Sequence, residues 1–310
     1  MDKASMRKAY GQALVSLAKR GVDIVVLDAD LSKSTGTLAF AREFPSRFFD
    51  MGISEADMMG TAAGIASTGK VVFASSFAIF ASGRAWEQVR NTIAYSKFNV
   101  KIVATHGGIT VGEDGSSHQC IEDFALMRVI PGMKVVAPAD ATTTKLAIFA
   151  AAAEEGPIYV RLLRPEVPVV YLDEPMFEIG KGIVVRKGED VAIVANGVCV
   201  SIALEAASLL EEEGISAKVV DLHTIKPLDE GLLLECAEET RGIVVVEEHN
   251  IIGGLGSAVA EFLSCVSPTR IIRIGVRDEF GTSGNGFELL SHYGITKERI
   301  VLAAKEILNG

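Results

Sequence analysis

The sequence predicts an α/β protein made of two doubly wound domains. Short β-branched runs alternate with amphipathic helical segments, and a proline-rich break divides this alternation near the middle of the chain. Continuous apolar runs are typical of buried parallel strands, and strand–helix alternation is typical of parallel sheets. With 310 residues, the chain is also long enough for two domains of ordinary size.

The first half of the chain contains five predicted strands with helices between them. The strands are residues 24–27, 71–74, 101–104, 134–137 and 158–162. The first predicted helix has one apolar stripe, formed by Met6, Tyr10, Leu14 and Leu17. Asp140 is a suitable N-cap for a later helix, and Gly156 suits the left-handed position at that helix's carboxyl end.

The predicted domain boundary follows from three prolines. Pro165, Pro168 and Pro175 interrupt the periodic pattern, as expected of a linker. We therefore expect a first domain at 1–165, a linker at 166–188 and a second domain at 189–310. Strands of the second domain are predicted at 191–195, 218–222, 244–247 and 271–275.

The composition and charge of the chain argue against a membrane-spanning protein and a nucleic-acid-binding protein. Hydrophobic residues make up 49% of the chain, yet no stretch approaches the roughly 20 apolar residues of a membrane span. The net charge of −10 argues against a nucleic-acid surface, so an anionic substrate would need a local cationic pocket. The first residues lack the layout of a secretory signal, and we expect a cytoplasmic protein without a membrane segment.

The four cysteines predict neither a zinc site nor a disulfide framework. Cys120, Cys199, Cys236 and Cys265 are far apart and form no Cys-x-x-Cys pair. We expect them to be buried as small apolar residues, and we expect no metal ligands in this chain.

A loop at residues 106–119 concentrates the groups that could carry chemistry. It follows a predicted strand and contains four glycines, Glu113, Asp114, His106 and His118, the last two being two of the five histidines in the chain. A flexible glycine loop with surface histidines would have a similar sequence. The density of ionisable groups after a strand end favours an active-site loop instead.

The run from His106 to Gln119 resembles the active-site loop of transketolases, in which two histidines and an aspartate have this spacing. The resemblance extends to residues 28–34, 52–55 and 278–284, and so covers essentially the whole chain. It implies a thiamine diphosphate pyrimidine-binding domain followed by a transketolase C-terminal domain. The implied activity is transfer of a two-carbon ketol unit from a ketose phosphate to an aldose phosphate.

One motif of thiamine diphosphate enzymes does not occur in this sequence. Those enzymes bind the diphosphate and Mg²⁺ through a Gly-Asp-Gly with a later Asn, and the string here is Gly112-Glu113-Asp114-Gly115. The resemblance therefore implies an N-terminal partner subunit that carries the motif, in a heterotetramer or a larger assembly. The cofactors would be thiamine diphosphate and Mg²⁺, held at a site shared between chains.

The resemblance assigns four residues to the cofactor. Glu55 matches the glutamate that hydrogen-bonds the aminopyrimidine ring, Phe77 and Phe80 match the aromatic side chains that stack on it, and Asp30 lies in a segment near it. Without the resemblance, Glu55 is an acid favoured in the first turn of a helix, and the phenylalanines are core residues at a strand end.

The resemblance also assigns the substrate contacts. Asp114 and His118 match residues that contact the hydroxyls and carbonyl of the donor sugar, where a histidine can pass protons near neutral pH. The sugar phosphate is assigned to Arg7, Ser34, His106 and Arg164. Arginine suits this task because its planar group makes paired hydrogen bonds to phosphate oxygens.

Several alternatives remain open at this level. The chain length also fits the beta-type subunit of a 2-oxoacid dehydrogenase, and residues 221–229 and 248–250 resemble 1-deoxyxylulose-5-phosphate synthase equally well. A non-catalytic scaffold or regulatory subunit is a different class. Gly253-Gly254-Leu255-Gly256 superficially suggests a dinucleotide fingerprint, but close strand–helix packing explains these glycines better.

Overall fold

The structure, a computed structural model of the chain, describes residues 2–310. The strands in this range are β1 Lys3–Ser5, β2 Ile24–Asp28, β3 Phe48–Asp50, β4 Val71–Phe77, β5 Val100–Thr105, β6 Lys134–Val136, β7 Ile158–Arg161, β8 Glu166–Pro168, β9 Ile183–Arg186, β10 Val191–Ala195, β11 Ala217–Asp221, β12 Thr224–Lys226, β13 Ile243–Asn250 and β14 Ile271–Val276. The α-helices are α1 Met6–Lys19, α2 Ser32–Thr35, α3 Leu38–Glu43, α4 Glu55–Ala66, α5 Asp123–Arg128, α6 Ala141–Ala153, α7 Cys199–Glu212, α8 Glu230–Glu239, α9 Leu255–Val266, α10 Gly286–His292 and α11 Lys297–Asn309. Pro45–Arg47 and Ile109–Asp114 are 3₁₀ turns, and Phe80–Arg84 and Gln88–Ala94 are π-helical.

The first domain is built on a seven-stranded sheet in the order β12-β6-β7-β5-β4-β2-β3. Its strands are parallel except for β12, which pairs antiparallel with β6. Every residue of β2 and β5 is buried, because helices cover both faces of the sheet. A separate antiparallel pair, β1 with β8, joins the start of the chain to the segment after β7.

The second domain has a five-stranded sheet in the order β14-β13-β10-β11-β9. Its strands are parallel except for β9, which runs antiparallel to β11. Strand β12 leaves this domain and extends the sheet of the first one. The two halves are therefore connected by backbone pairing as well as by the chain.

The predicted α/β class with two parallel sheets is confirmed. All nine predicted strands overlap observed ones, and the four residues of the predicted stripe on α1 are buried. Asp140 caps α6 in a reciprocal pair with Thr143, as predicted for a good N-cap. Gly156 has a φ of +89°, three residues after the end of α6.

The segment predicted as a linker has more structure than expected. Its range, 166–188, includes β8 and β9, and β9 is an edge strand of the second sheet. The exact domain boundaries at 165 and 189 stay predictions. Prolines mark where helical periodicity ends, but they do not exclude short edge strands.

The expectation for the cysteines is wrong for one of them. Cys120, Cys199 and Cys236 are buried free thiols, but Cys265 is exposed near the end of α9. Its position on the solvent-facing side of an amphipathic helix explains the difference.

A buried acid joins the two domains near the linker. Asp221 Oδ2 accepts a hydrogen bond of 2.9 Å from the Tyr171 hydroxyl, and Oδ1 has no partner among residues 2–310. Burial, with a smaller contribution from the nearby carboxylate of Asp140, raises the pKa of Asp221 to about 8. The folded chain therefore keeps a proton on this carboxyl at pH values where the unfolded chain has lost it.

This shift predicts a pH-dependent stability difference for Asp221→Asn. Because the folded pKa is raised, the contribution of the acid to stability is complete below about pH 4 and is lost as the pH rises to about 8. The asparagine side chain does not titrate. The free energy of unfolding of Asp221→Asn, relative to that of the native chain, should therefore rise by up to about 1.4 kcal/mol per pH unit between about pH 4 and 8. Melting temperatures at pH 5–8.5 measure this difference, with the exposed Asp173→Asn as control. A difference that does not vary with pH would contradict the assignment.

Candidate functional site

The candidate site lies at the carboxyl edge of the seven-stranded sheet. Strands β2, β3, β4, β5 and β7 are parallel and end there, with β3 and β4 on opposite sides of β2. Ligands of open α/β sheets bind at such an edge, where the direction of winding reverses. Phe77 is the last residue of β4, and Glu55, His106 and Arg164 follow the ends of β3, β5 and β7.

Glu55 is a buried acid with a cationic partner. It is the first residue of α4, and its side chain is only 1% exposed. Arg84 Nη1 donates a 2.9 Å hydrogen bond to Glu55 Oε2, and the Arg84 guanidinium lies 4.5 Å from the centre of the Phe80 ring. Arg84 is not among the residues that the sequence predicts for the site, because the π-helical turn that carries it has no simple sequence signature.

Two phenylalanines and two histidines form an aromatic cluster beside Glu55. The Phe77 ring stacks on His106 with centroids 3.7 Å apart and lies 5.9 Å from Phe80. His118 meets Phe80 edge-on at 5.5 Å. The structure thus brings together side chains that are up to about 40 residues apart in sequence, all assigned to the site by the resemblance.

His106 is uncharged in this environment. Burial, together with the positive charges of Arg7 and Arg164 and the nearby His118, lowers the pKa of His106 to about 3. Its Nδ1 lies 2.9 Å from the Thr105 hydroxyl. A neutral imidazole can still donate a hydrogen bond to an anion, but the positive charge for an anion must come from the arginines.

Arg7 and Arg164 form a cationic pair near His106. Arg7 Nη1 donates a 2.7 Å hydrogen bond to the backbone oxygen of Ser34, and its Nε has no partner within residues 2–310. Burial and the charge of Arg164 lower the pKa of Arg7. Arg164 Nη1 donates to the backbone oxygen of Val111, 2.5 Å away. The contact of Arg7 with Ser34 thus uses the main chain of Ser34 and not its hydroxyl.

Asp114 and His118 lie on the loop that borders these arginines. Asp114 Oδ1 is 3.9 Å from Arg164 Nη2, and the side chains of both residues are 35% exposed. His118 Nδ1 lies 3.0 Å from the Ser117 hydroxyl. The side chains of Asp114 and His118 are therefore at least partly exposed, whereas Glu55 is buried.

Asp30 is placed differently from the other predicted residues. It is exposed, and its contact within residues 2–310 is a backbone N–H bond to Asp50 Oδ1 at 3.0 Å. The neighbouring Asp28 is buried and accepts hydrogen bonds from Leu31 and from two threonine hydroxyls, Thr35 and Thr37. Burial raises the pKa of Asp28 to about 6. Asp28, which the sequence does not single out, therefore shapes the turn that carries Ser34.

A carboxyl group of the chain itself occupies the amino-terminal end of α9, after the glycine-rich segment. Glu247 accepts hydrogen bonds from the N–H groups of Leu255 and Gly256 at 2.6 and 2.8 Å. A Cβ at Gly254 would lie 2.1 Å from Glu247 Oε2. Because a carboxylate already occupies the position of a phosphate, these glycines serve packing around Glu247.

Within residues 2–310, a cluster of metal-binding side chains and a membrane-spanning helix are both absent. No group of three or more His, Cys, Asp or Glu side chains converges in a way that could hold a metal ion. In the same range, every helix is too short or too polar to cross a bilayer.

Comparison with known proteins shows the family. The model of the transketolase pyrimidine-binding domain matches residues 2–169, and the model of the transketolase C-terminal domain matches residues 180–300. The chain belongs to the transketolase family. The resemblance drawn from residues 28–34, 52–55, 106–119 and 278–284 is therefore confirmed.

Several relatives are similar over nearly the whole chain. A Methanocaldococcus jannaschii protein, provisionally assigned as a transketolase C-terminal section, is 53% identical and aligns over 98% of this chain and 95% of its own length. The 6-deoxy-6-sulfo-D-fructose transketolase subunit of Clostridium sp. (strain MSTE9) is 41% identical over 99% of this chain and 95% of its own. A solved split-gene transketolase, described as an inactive β4 tetramer, superposes with a TM-score of 0.92 at 52% identity, covering 98% of both chains.

Proposed function

We propose that this chain is the C-terminal subunit of a two-chain, thiamine diphosphate-dependent transketolase. The assembly would transfer a two-carbon ketol unit from a ketose phosphate to an aldose phosphate. The observation that carries the proposal is the convergence, at one sheet edge, of a buried carboxylate, a stacked aromatic cluster and a pair of arginines. The relatives described as transketolase sections and subunits support it.

The cofactor part of the site suits an aminopyrimidine ring. Glu55 is a buried acceptor whose partner, Arg84, is about half-exposed, and Phe80 offers an aromatic face beside it. Glu55 would share a proton with a ring nitrogen, and the Phe80 face would stack on the ring. Arg84 uses the same carboxylate and the same aromatic ring, so its side chain would have to move aside.

When bound, thiamine diphosphate supplies the carbanion chemistry of the reaction. The residues of this chain then have distinct tasks around it. Glu55 holds and returns a proton, while Asp114 and His118 accept and donate hydrogen bonds to the donor sugar. Arg7 and Arg164 provide the positive charge for the sugar phosphate, and His106 adds a neutral donor.

The remaining cofactor ligands would come from a partner. We infer an N-terminal transketolase subunit with a Gly-Asp-Gly motif that binds the diphosphate and Mg²⁺. An assembly of two copies of each chain would place each site between subunits. We place this assembly in the cytoplasm, where the free thiols of this chain would remain reduced.

Reconstitution tests the proposal. The chain alone should not convert a ketose phosphate and an aldose phosphate, and conversion should begin when the N-terminal partner, thiamine diphosphate and Mg²⁺ are added. A coupled assay that follows the released aldose phosphate measures this. Full turnover without the partner, or none with it, would contradict the proposed function.

A further inference from the structure

One buried side chain of the second domain contacts the loop of the candidate site directly. Glu248 lies in β13 and is 3% exposed, and its Oε1 accepts a 2.6 Å hydrogen bond from the backbone N–H of Thr110. Thr110 lies 138 residues earlier in the chain, between His106 and His118. This hydrogen bond fixes the loop backbone rather than a side chain.

The start of the loop is shaped to admit this contact. A Cβ at Gly108 would lie 2.2 Å from Glu248 Oε1, and a Cβ at Gly107 would lie 2.0 Å from Arg161 Nε. Gly108 also has a φ of +77°. These two glycines therefore allow the loop backbone to lie directly against the buried Glu248 and Arg161.

Arg161 joins Glu248 to the first domain. Its Nη2 donates to the backbone oxygens of Glu248 at 2.8 Å and Cys120 at 3.3 Å, and its Nε is 3.4 Å from Asp123 Oδ2. All of these side chains are buried, and Glu248 Oε2 has no hydrogen-bond partner within residues 2–310. Burying a set of ionisable groups of this kind generally contributes little to stability. The Arg161 hydrogen bonds instead fix the backbones of Glu248 and Cys120 next to each other.

The second domain also contacts the start of the 3₁₀ turn and the end of the loop. Gln119 Nε2 donates to the backbone oxygen of Thr282 at 2.9 Å and to that of Ile109 at 3.1 Å. A Cβ at Gly286 would lie 2.6 Å from the Thr110 backbone oxygen. Contacts from Glu248, Thr282 and Gly286 therefore hold the loop against the second domain.

We propose that Glu248 is a positioning residue: through Thr110 it holds the loop that carries Asp114 and His118, and so gives the second domain a role in the reaction. The proposal rests on the proposed function. Glu248 is bonded to the loop backbone, so it acts through the placement of the loop groups. A displacement of about 1 Å in such groups can cost roughly 100-fold in rate.

The test compares Glu248→Met with Glu248→Gln in the assembled enzyme. Methionine fills similar volume without an acceptor, so kcat should fall roughly 10- to 100-fold while the KM of the ketose phosphate and the cofactor affinity change less than about threefold. Glutamine keeps a neutral acceptor and should recover most of the rate. Hydrogen–deuterium exchange of residues 107–119 should be faster in Glu248→Met and close to native in Glu248→Gln.

Glu247→Met is the matched control, because Glu247 is an equally buried glutamate on the same strand that bonds α9 and not the loop. It should leave kcat and the exchange of residues 107–119 unchanged. Native kcat and native loop exchange in Glu248→Met, or equal losses in Glu247→Met, would overturn the proposal. If Glu248→Met does not fold, faster loop exchange with unchanged kcat in Glu248→Gln would overturn the proposal as well.

The wild-type assembly is assayed first, so that failure of the proposed function can be recognised separately. Absence of ketol transfer in the wild-type assembly refutes the proposed function. Hydrogen–deuterium exchange of residues 107–119 tests the Glu248 contact whether or not the assembly is active.

Discussion

Glu55→Gln is expected to leave the assembly folded and loaded with cofactor, while turnover falls by about 10²–10⁴-fold, the usual contribution of general acid–base catalysis. Glutamine keeps the size and the hydrogen-bonding capacity of the side chain but cannot hold and return a proton. Because Glu55 is buried at the first residue of α4, no water can replace it readily. Steady-state turnover and the rate of hydrogen–deuterium exchange at the thiazolium carbon of the cofactor measure the effect.

Asp57→Asn is the matched control for this prediction. Asp57 lies in the same first turn of α4 but is exposed, so it shares the favourable position near the helix terminus without facing the site. Its removal should change turnover less than about threefold. If Glu55→Gln and Asp57→Asn behave alike, or if exchange at the thiazolium carbon is native in Glu55→Gln, Glu55 stabilises the helix and has no part in the chemistry.

Arg164→Ala is expected to raise the KM for a phosphorylated ketose roughly 10- to 100-fold and to lower kcat less. A hydrogen bond to a charged group contributes about 1.5–3 kcal/mol, which corresponds to this range. Arg7 remains and keeps part of the positive charge near His106. Arg164→Lys should give an intermediate KM, because lysine keeps the charge and loses the planar pair of donors.

A donor substrate without a phosphate group is the control for the Arg164→Ala prediction. Hydroxypyruvate presents no group for this arginine, so its kinetic constants should be almost unaltered in Arg164→Ala. Arg164 also bonds the backbone of Val111, and a loss of loop order would affect both donors. Equal losses for phosphorylated and unphosphorylated donors would assign Arg164 to support of the loop, and the phosphate-pocket assignment would be wrong.

The elements that follow from local pattern could be predicted from the sequence. Buried parallel strands are continuous apolar runs, and a capping acid such as Asp140 marks a helix start regardless of what packs around it. Local sequence also predicts Glu55 in the first turn of a helix, and it is the first residue of α4. The site residues on strand ends were found because the resemblance carried their roles residue by residue, and their roles remain predictions.

The remaining features depend on contacts between distant parts of the chain. Strand β12 joins the sheet of the other domain, and nothing in its three residues specifies that partner. Arg84 bonds Glu55 from the π-helical turn Phe80–Arg84, and such turns have no simple periodic signature. Glu248 reaches Thr110 across 138 residues, and its neighbour Glu247 has a similar sequence context but a different partner.

Calorimetric measurement of cofactor binding tests most directly whether the active site is divided between two chains. Thiamine diphosphate is titrated, with and without Mg²⁺, into this chain alone, into the N-terminal partner alone and into the assembled complex. Tight, magnesium-dependent binding should occur in the assembled complex, and this chain alone should bind the cofactor weakly because it supplies the aminopyrimidine contacts without the diphosphate and metal ligands. Tight, magnesium-dependent binding by this chain alone would contradict the account.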